Sequence, residues 1–297
     1  MRVFVTGASG WIGAATVDEL LAAGHHVVGL ARSDASAALL EAKGAIVQRG
    51  DLDDLDSLRA GSNGVDAVIH LANKHDFANQ AASNKAERDA VQTIGETLAG
   101  SNRPFLLASG VAGAVGRPLL ESDASPFSGP DSPRGGSENL AFDFVATGVN
   151  SVSVRFAPTV HGEGDHGFIA ALVGIAREKG IAGYIGDGSN RWPAVHRSDA
   201  ARVVRLGLEK AAPGTILHAI GEEGVSTRTI AEAIGRGLDL PVQSIAPDDA
   251  AAHFGWIGGF FGMDIPASSA HTQKLLGWTP SGPTLATDLD SGSYFRS

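Results

Sequence analysis

From Val3 to Ala108 the chain alternates short apolar runs with stretches of helical period. Val3–Thr6 predicts a strand, and Ile12–Ala23 a helix with Ile12, Ala15, Leu20 and Leu21 facing inward. Gly24 follows where a helix-ending left-handed residue is wanted. Strands are then expected at His26–Leu30, Ala45–Gln48, Ala67–Leu71 and Pro104–Ala108. The helices between them are expected at Ala35–Lys43, Asp54–Ala60 and Lys85–Ala99. Such alternation implies right-handed crossovers and a parallel sheet covered on both faces. The rhythm then breaks. Glu121–Gly136 is rich in Ser, Pro, Asp and Gly and predicts a loop, after which a helix Ser137–Ala146 and a strand Ser151–Arg155 resume the pattern. Beyond Val160 come short strands, scattered glycines and a turn-rich tail. We therefore expect an α/β fold in which residues 1–160 form a doubly wound, dinucleotide-binding unit, its sheet completed by part of the later chain. Residues 161–297 are expected to form a smaller substrate-binding region.

The turn between the first strand and helix reads Thr6-Gly7-Ala8-Ser9-Gly10-Trp11-Ile12-Gly13. After a strand and before a helix, this is a Rossmann-type nucleotide loop. Gly7 allows the tight turn, Gly10 lets a pyrophosphate approach the backbone, and Gly13 allows close packing of helix on sheet. The free N–H groups at the helix start, including those of Trp11 and Ile12, supply the anion site. At the end of the second strand a carboxylate would hold a ribose 2′-hydroxyl, whereas an arginine suits a 2′-phosphate. The sequence there is Ala31-Arg32-Ser33, so NADP(H) is the preferred expectation. Asp34 could serve as a displaced ribose ligand, which leaves NAD(H) open.

With these residues the chain resembles the extended short-chain dehydrogenase/reductase family, also called the NAD-dependent epimerase/dehydratase family. The likeness runs almost end to end. Gly50-Asp51-Leu52 is similar to its adenine-side segment, and His70-Leu71-Ala72, continuing to Asn73, to the segment beneath the cofactor. Arg155-Phe156-Ala157-Pro158 resembles the strand end that approaches the nicotinamide, and Trp192–Ala200 a late substrate-side motif.

The catalytic motif departs from that family. Its members carry a tyrosine with a lysine four residues on, then a small residue and glutamate further along the helix. Tyr184 and Tyr294 are the two tyrosines here, and neither has that lysine. Aligning Ser137-Glu138 with the small residue and glutamate puts Arg134 at the lysine position and Pro130 at the tyrosine position. Arg134 can hold ribose hydroxyls and supply positive charge, but its pKa forbids proton shuttling. Ser109, or Gly110 if the alignment shifts by one, stands near the carbonyl-orienting serine. A histidine could replace the missing acid, because its unperturbed pKa lies near neutrality. His161, after the Pro158 strand end, is the first candidate; His196, Lys74 and His75 are others, and a water relayed past Ser109 is the alternative. His25 and His26 fall on the opposite edge of the sheet and are discounted.

Composition narrows the classes further. The absence of cysteine removes disulfides and thiolate metal sites, and no histidine pair has the spacing for another metal site. The formal net charge of -10, with no Lys/Arg run, speaks against a nucleic-acid partner. No uncharged apolar stretch is long enough for a membrane span. Arg2–Val5 runs straight into the glycine loop, leaving no room for a leader, so a cytoplasmic location is expected. The expected function is NADPH-dependent reduction of a carbonyl, or an activated double bond, in a small organic substrate. An epimerase/dehydratase-type enzyme on the same fold and a non-catalytic NADP-binding sensor are the rivals. A homodimer is a further possibility.

Overall fold

The structure is a computed structural model that describes residues 1–76, 79–111, 113 and 116–296. In chain order its first elements are β1 (Arg2–Thr6), α1 (Trp11–Ala22), β2 (His26–Ala31), α2 (Asp34–Ala42), β3 (Ile46–Arg49) and α3 (Leu55–Ser62). They continue as β4 (Ala67–His70), α4 (Gln80–Leu98), β5 (Pro104–Gly110), α5 (Ser137–Asp143) and β6 (Asn150–Phe156). The predicted alternation is present, with two shifts. The fourth helix starts at Gln80 rather than Lys85, because the Asn79 side chain caps it by accepting from Ala82 N. The helix after the loop stops at Asp143 and tightens into a 3₁₀ turn at Phe144–Thr147. In α1 the buried face is Gly13, Ala14, Thr16, Val17 and Leu20; of the set expected Leu20 is buried, while Ile12, Ala15 and Leu21 are half-buried. Small residues face the sheet there because the helix packs close to it, which pushes Ala15 and Leu21 to the margin.

The later chain supplies β7 (Thr159–His161), α6 (Phe168–Lys179), β8 (Ala182–Ile185), β9 (Arg191–His196), α7 (Arg197–Lys210) and β10 (Ile216–Ala219). After these come β11 (Glu222–Ser226), α8 (Thr227–Leu238), β12 (Val242–Ile245) and α9 (Ala250–Phe254). The short helices α10 (Gly258–Phe261), α11 (Ala270–Leu276) and α12 (Leu285–Asp290) follow. The main sheet has seven strands in the order β10-β6-β5-β4-β1-β2-β3, all parallel. The order reverses direction at β1 and β4, so the crevice for a ligand opens above their carboxyl ends. Successive residues of β1 serve opposite faces. Val3 and Val5 pack into the core shared with α1 and α7, and Phe4 into the core beneath α3 and α4. A third core lies in the later chain around Ile169, Trp192, Ile230 and Phe261. A three-stranded sheet (β11-β9-β7) and a parallel pair (β12-β8) flank it. Among the described residues no helix is long and apolar enough to cross a membrane.

Candidate active site

The glycine loop closes through Gly10 N donating to Gly7 O at 2.9 Å. Gly7 is left-handed at φ +67°, and a Cβ there would stand 2.7 Å from Ala72 N. A Cβ on Gly13 would meet Gly7 O at 1.9 Å, so both positions exclude any side chain. A Cβ on Gly10 would lie 3.1 Å from the same oxygen, so that position is crowded rather than closed. Gly10 caps α1 without a side chain, and the first turn holds no carboxylate. The orphan N–H groups of Trp11 and Ile12 therefore face outward as anion donors, which fits a dinucleotide pyrophosphate. The Trp11 side chain does something else: its indole N–H donates to Val160 O at 2.8 Å, with the Arg197 guanidinium 4.2 Å over the ring. It ties the loop to β7 and α7.

At the end of β2, Arg32 and Ser33 are exposed. Ser33 caps α2 by accepting from Ser36 N at 3.2 Å. Asp34, the alternative ribose ligand, is instead held by Arg49 Nη2 at 2.5 Å. Strand register puts Arg49 beside Ala31. Two guanidiniums thus stand at the adjoining ends of β2 and β3, one of them already on a carboxylate. Sequence reasoning missed Arg49, although its place just before Gly50-Asp51 was the available signal. Asp51 Oδ1 accepts from the N–H groups of Asp53 and Asp54 and so shapes its own turn, while Leu52 is buried.

Below the crevice the ends of β1 and β4 are joined. Thr6 Oγ1 and His70 Nδ1 lie 2.8 Å apart, and Ala72 N donates to Thr6 Oγ1. Leu71, Ala72 and Asn73 are half-buried along this edge, as is Pro158 opposite. Asn73 Nδ2 donates to Glu87 Oε2 at 3.1 Å, and Arg134 Nη2 to Glu87 Oε1 at 2.6 Å. Glu87 is buried on α4, so one carboxylate fixes both a cofactor-edge residue and Arg134. Burial pushes the His70 imidazole down, leaving it neutral.

Ser109 and Arg134 do come together. With Gly110, Phe127 and Arg155 among its walls, a small pocket opens at the carboxyl end of β5. Arg134 follows Pro133 in a left-handed conformation, φ +55°, as do Gly135 and Gly136 at +61° and +62°. Its N–H is held by Asn84 Oδ1. On the pocket floor Arg155 grips Glu138 through Nε and Nη2, and Nη1 donates to Asp123 O. Burial would push the Glu138 carboxyl up, but the Arg155 hydrogen bonds win and hold it below its ordinary value.

The candidate histidines lie apart from this pocket. His161 is completely buried in β7, its Nδ1 2.6 Å from Asp288 Oδ2, and it does not line the pocket. After Pro158 the chain leaves the main sheet and pairs with β9, turning His161 towards Asp288 of α12 and the His196 ring. His196 stands 5.6 Å from it, partly exposed, with its imidazole lowered by burial and its Nδ1 2.8 Å from Ser198 Oγ. Lys74 is paired with Asp53 at 2.7 Å. His75 lies on the crevice rim, its pKa lowered by burial and by Arg134. Tyr294 is spent structurally, donating to Asp165 Oδ2 at 2.8 Å. His25, on the far edge as expected, pairs with Glu209 at 3.1 Å.

This sheet order, with an uncapped helix above the switch point, defines a dinucleotide-dependent α/β protein. The chain belongs to the NAD dependent epimerase/dehydratase family, whose model matches residues 3–219. That family comprises NAD(P)-dependent oxidoreductases, epimerases and dehydratases. An uncharacterized protein of Schizosaccharomyces pombe is 45% identical over 295 residues, covering 99% of this chain and 100% of the relative. A ketoreductase of Stigmatella aurantiaca, acting on 4-hydroxy-2-methyl-3-oxo-4-farnesyl-3,4-dihydroquinoline-1-oxide, is 27% identical over 86% of this chain and 80% of its own. Among solved structures, a dTDP-glucose 4,6-dehydratase of Streptomyces venezuelae with NAD bound superposes with a TM-score of 0.78. Its identity is 22%, with 99% of this chain and 97% of that one covered, a likeness of fold.

Proposed function

We propose that the protein is an NADPH-dependent reductase of a carbonyl, or of an activated double bond, in a small organic substrate. One observation carries the reading: Ser109 and Arg134 wall a single pocket at the carboxyl end of β5, beside the switch point. The exposed Arg32 and Arg49 support NADPH over NADH, since a guanidinium fork suits a 2′-phosphate. The similarity to a ketoreductase points the same way.

When bound, the nicotinamide supplies the hydride. The orphan N–H groups of α1 hold the pyrophosphate and the residues from Leu71 to Asn73 floor the crevice. At the substrate, the Ser109 hydroxyl turns from the Glu138 carboxylate to donate to the carbonyl oxygen, and Arg134 places positive charge where oxyanion character develops. His75 is a poor acid at neutral pH because its imidazole is held neutral. The proton therefore reaches the oxygen from water relayed past Ser109 Oγ. Nicotinamide absorbance followed against a panel of ketones, aldehydes and enones tests the reading. NADPH binding without turnover of any of them would favour the sensor, a role for which Pro130 in place of the tyrosine is the specific observation.

A further inference from the structure

The Trp11 side chain is enclosed by β7 and the loop that leads from it to α6. Its indole N–H donates to Val160 O at 2.8 Å, and the His166 ring stands edge-on to it at 5.6 Å. A Cβ on Gly162 would lie 3.6 Å from the indole and one on Gly164 3.8 Å, so the loop backbone itself runs along the ring. Trp11 is the first residue of α1, and its own N–H is one of the two orphan donors that suit a pyrophosphate. Whatever fixes residues 162–167 therefore bears directly on the side chain of an anion-binding residue.

The far end of the chain fixes them. The Tyr294 hydroxyl accepts from Gly162 N at 3.3 Å and donates to Asp165 Oδ2 at 2.8 Å, while Asp165 Oδ1 accepts from Gly167 N at 2.6 Å. One phenol thus gathers both ends of the loop. Tyr294 is held in turn by the later core, against which its ring and that of Phe295 pack. Phe295 O accepts from Arg177 Nη2 at 2.9 Å, and the Phe295 ring lies so close to α8 that a Cβ on Gly237 would meet it at 1.9 Å. Burial and the neighbouring Asp165 push the Tyr294 phenol up, so it acts through its hydrogen bonds and not as an acid. We propose that Tyr294 is a positioning residue for the dinucleotide, holding the loop of residues 162–167 around Trp11 and so keeping the α1 donors in their binding geometry. The inference rests on the dinucleotide site and is independent of the reductase reading. Without the hydroxyl the loop samples conformations that release the indole, and the apparent Kd rises in inverse proportion to the competent fraction.

Tyr294→Phe provides the test, because it keeps the ring in the core and removes only the hydroxyl. In calorimetry it should weaken NADPH and NADH by the same factor, about 3- to 10-fold, the size of one hydrogen bond. Both cofactors carry the same pyrophosphate, whereas loss of a 2′-phosphate ligand would single out NADPH. The indole N–H resonance of Trp11, identified by its disappearance in Trp11→Phe, should exchange faster with solvent in Tyr294→Phe. Adding Asp165→Asn to Tyr294→Phe should return most of the affinity, since the amide strands no charge and its oxygen still accepts from Gly167 N. Wild-type affinity for both cofactors, a loss confined to NADPH, or weakened binding with an unchanged Trp11 resonance would overturn the proposal. A wild type that binds neither cofactor would overturn it together with the dinucleotide site.

Discussion

Replacing Arg155 by methionine removes the positive half of a buried pair without leaving a large void. Both side chains are nearly inaccessible, at 6% for Arg155 and 5% for Glu138. Glu138 loses three hydrogen bonds from the guanidinium and stays enclosed beneath Ser109. Breaking such a pair from one side costs about 3–5 kcal/mol. Unfolding entropy near about 2.1 cal/mol/K per residue gives about 0.6 kcal/mol/K for 297 residues, so Tm should fall by about 5–8 °C. The loss should depend on pH in a defined direction. In the wild type the carboxyl is held below its ordinary 4.5, which contributes stability above that value and loses it as pH falls through the folded pKa. In Arg155→Met burial, the largest influence, is opposed only by the hydrogen bonds from Ser109 and Ser153 and raises the carboxyl, so the penalty is full at neutral pH and fades towards pH 4.5. Thermal melts followed by circular dichroism at pH 7.5 and 4.5 should show the gap between the proteins narrowing at the lower pH. Arg155→Met/Glu138→Leu should recover most of the Tm, because the second change removes the stranded charge. A gap independent of pH, or a double variant no better than the single one, would refute the argument.

Gly10→Val should abolish NADPH binding in calorimetry while far-UV dichroism stays native, since the side chain occupies the approach to the α1 N–H groups. Wild-type affinity would put the pyrophosphate elsewhere. Arg32→Ala and Arg49→Ala should each weaken NADPH about 10- to 100-fold, the value of a charge-assisted hydrogen bond, and leave NADH unchanged. Equal losses for both cofactors would remove the pair from the 2′-phosphate. His161→Gln should lower Tm by about 2–5 °C for the lost bond to Asp288 yet keep the wild-type pH–rate profile. A vanished titration near neutrality would return His161 to catalysis.

The nucleotide half was legible because its signals are local. Apolar runs of strand length, a glycine triplet between strand and helix, and Gly24 after the helix each act through neighbouring backbone. The place of Ser109 was legible for the same reason, at the carboxyl end of a recognisable strand. Arg49 was not, because its importance comes from the register of β3 against β2, which places it beside Ala31. His161 misled the reading because proximity to a strand end does not say which sheet the next strand joins.

The left-handed run Arg134-Gly135-Gly136 also limits which side chains the segment before α5 can align. A tyrosine and a lysine four apart cooperate when a helix stacks them on one face. Here residues 130–132 form a turn, and the next backbone winds with the opposite hand. A variant carrying Pro130→Tyr with Arg134→Lys would therefore hold its phenol and ammonium on two differently wound stretches of chain rather than one above the other. The main chain, more than the side chains it carries, decides which pairs this segment can present to the crevice.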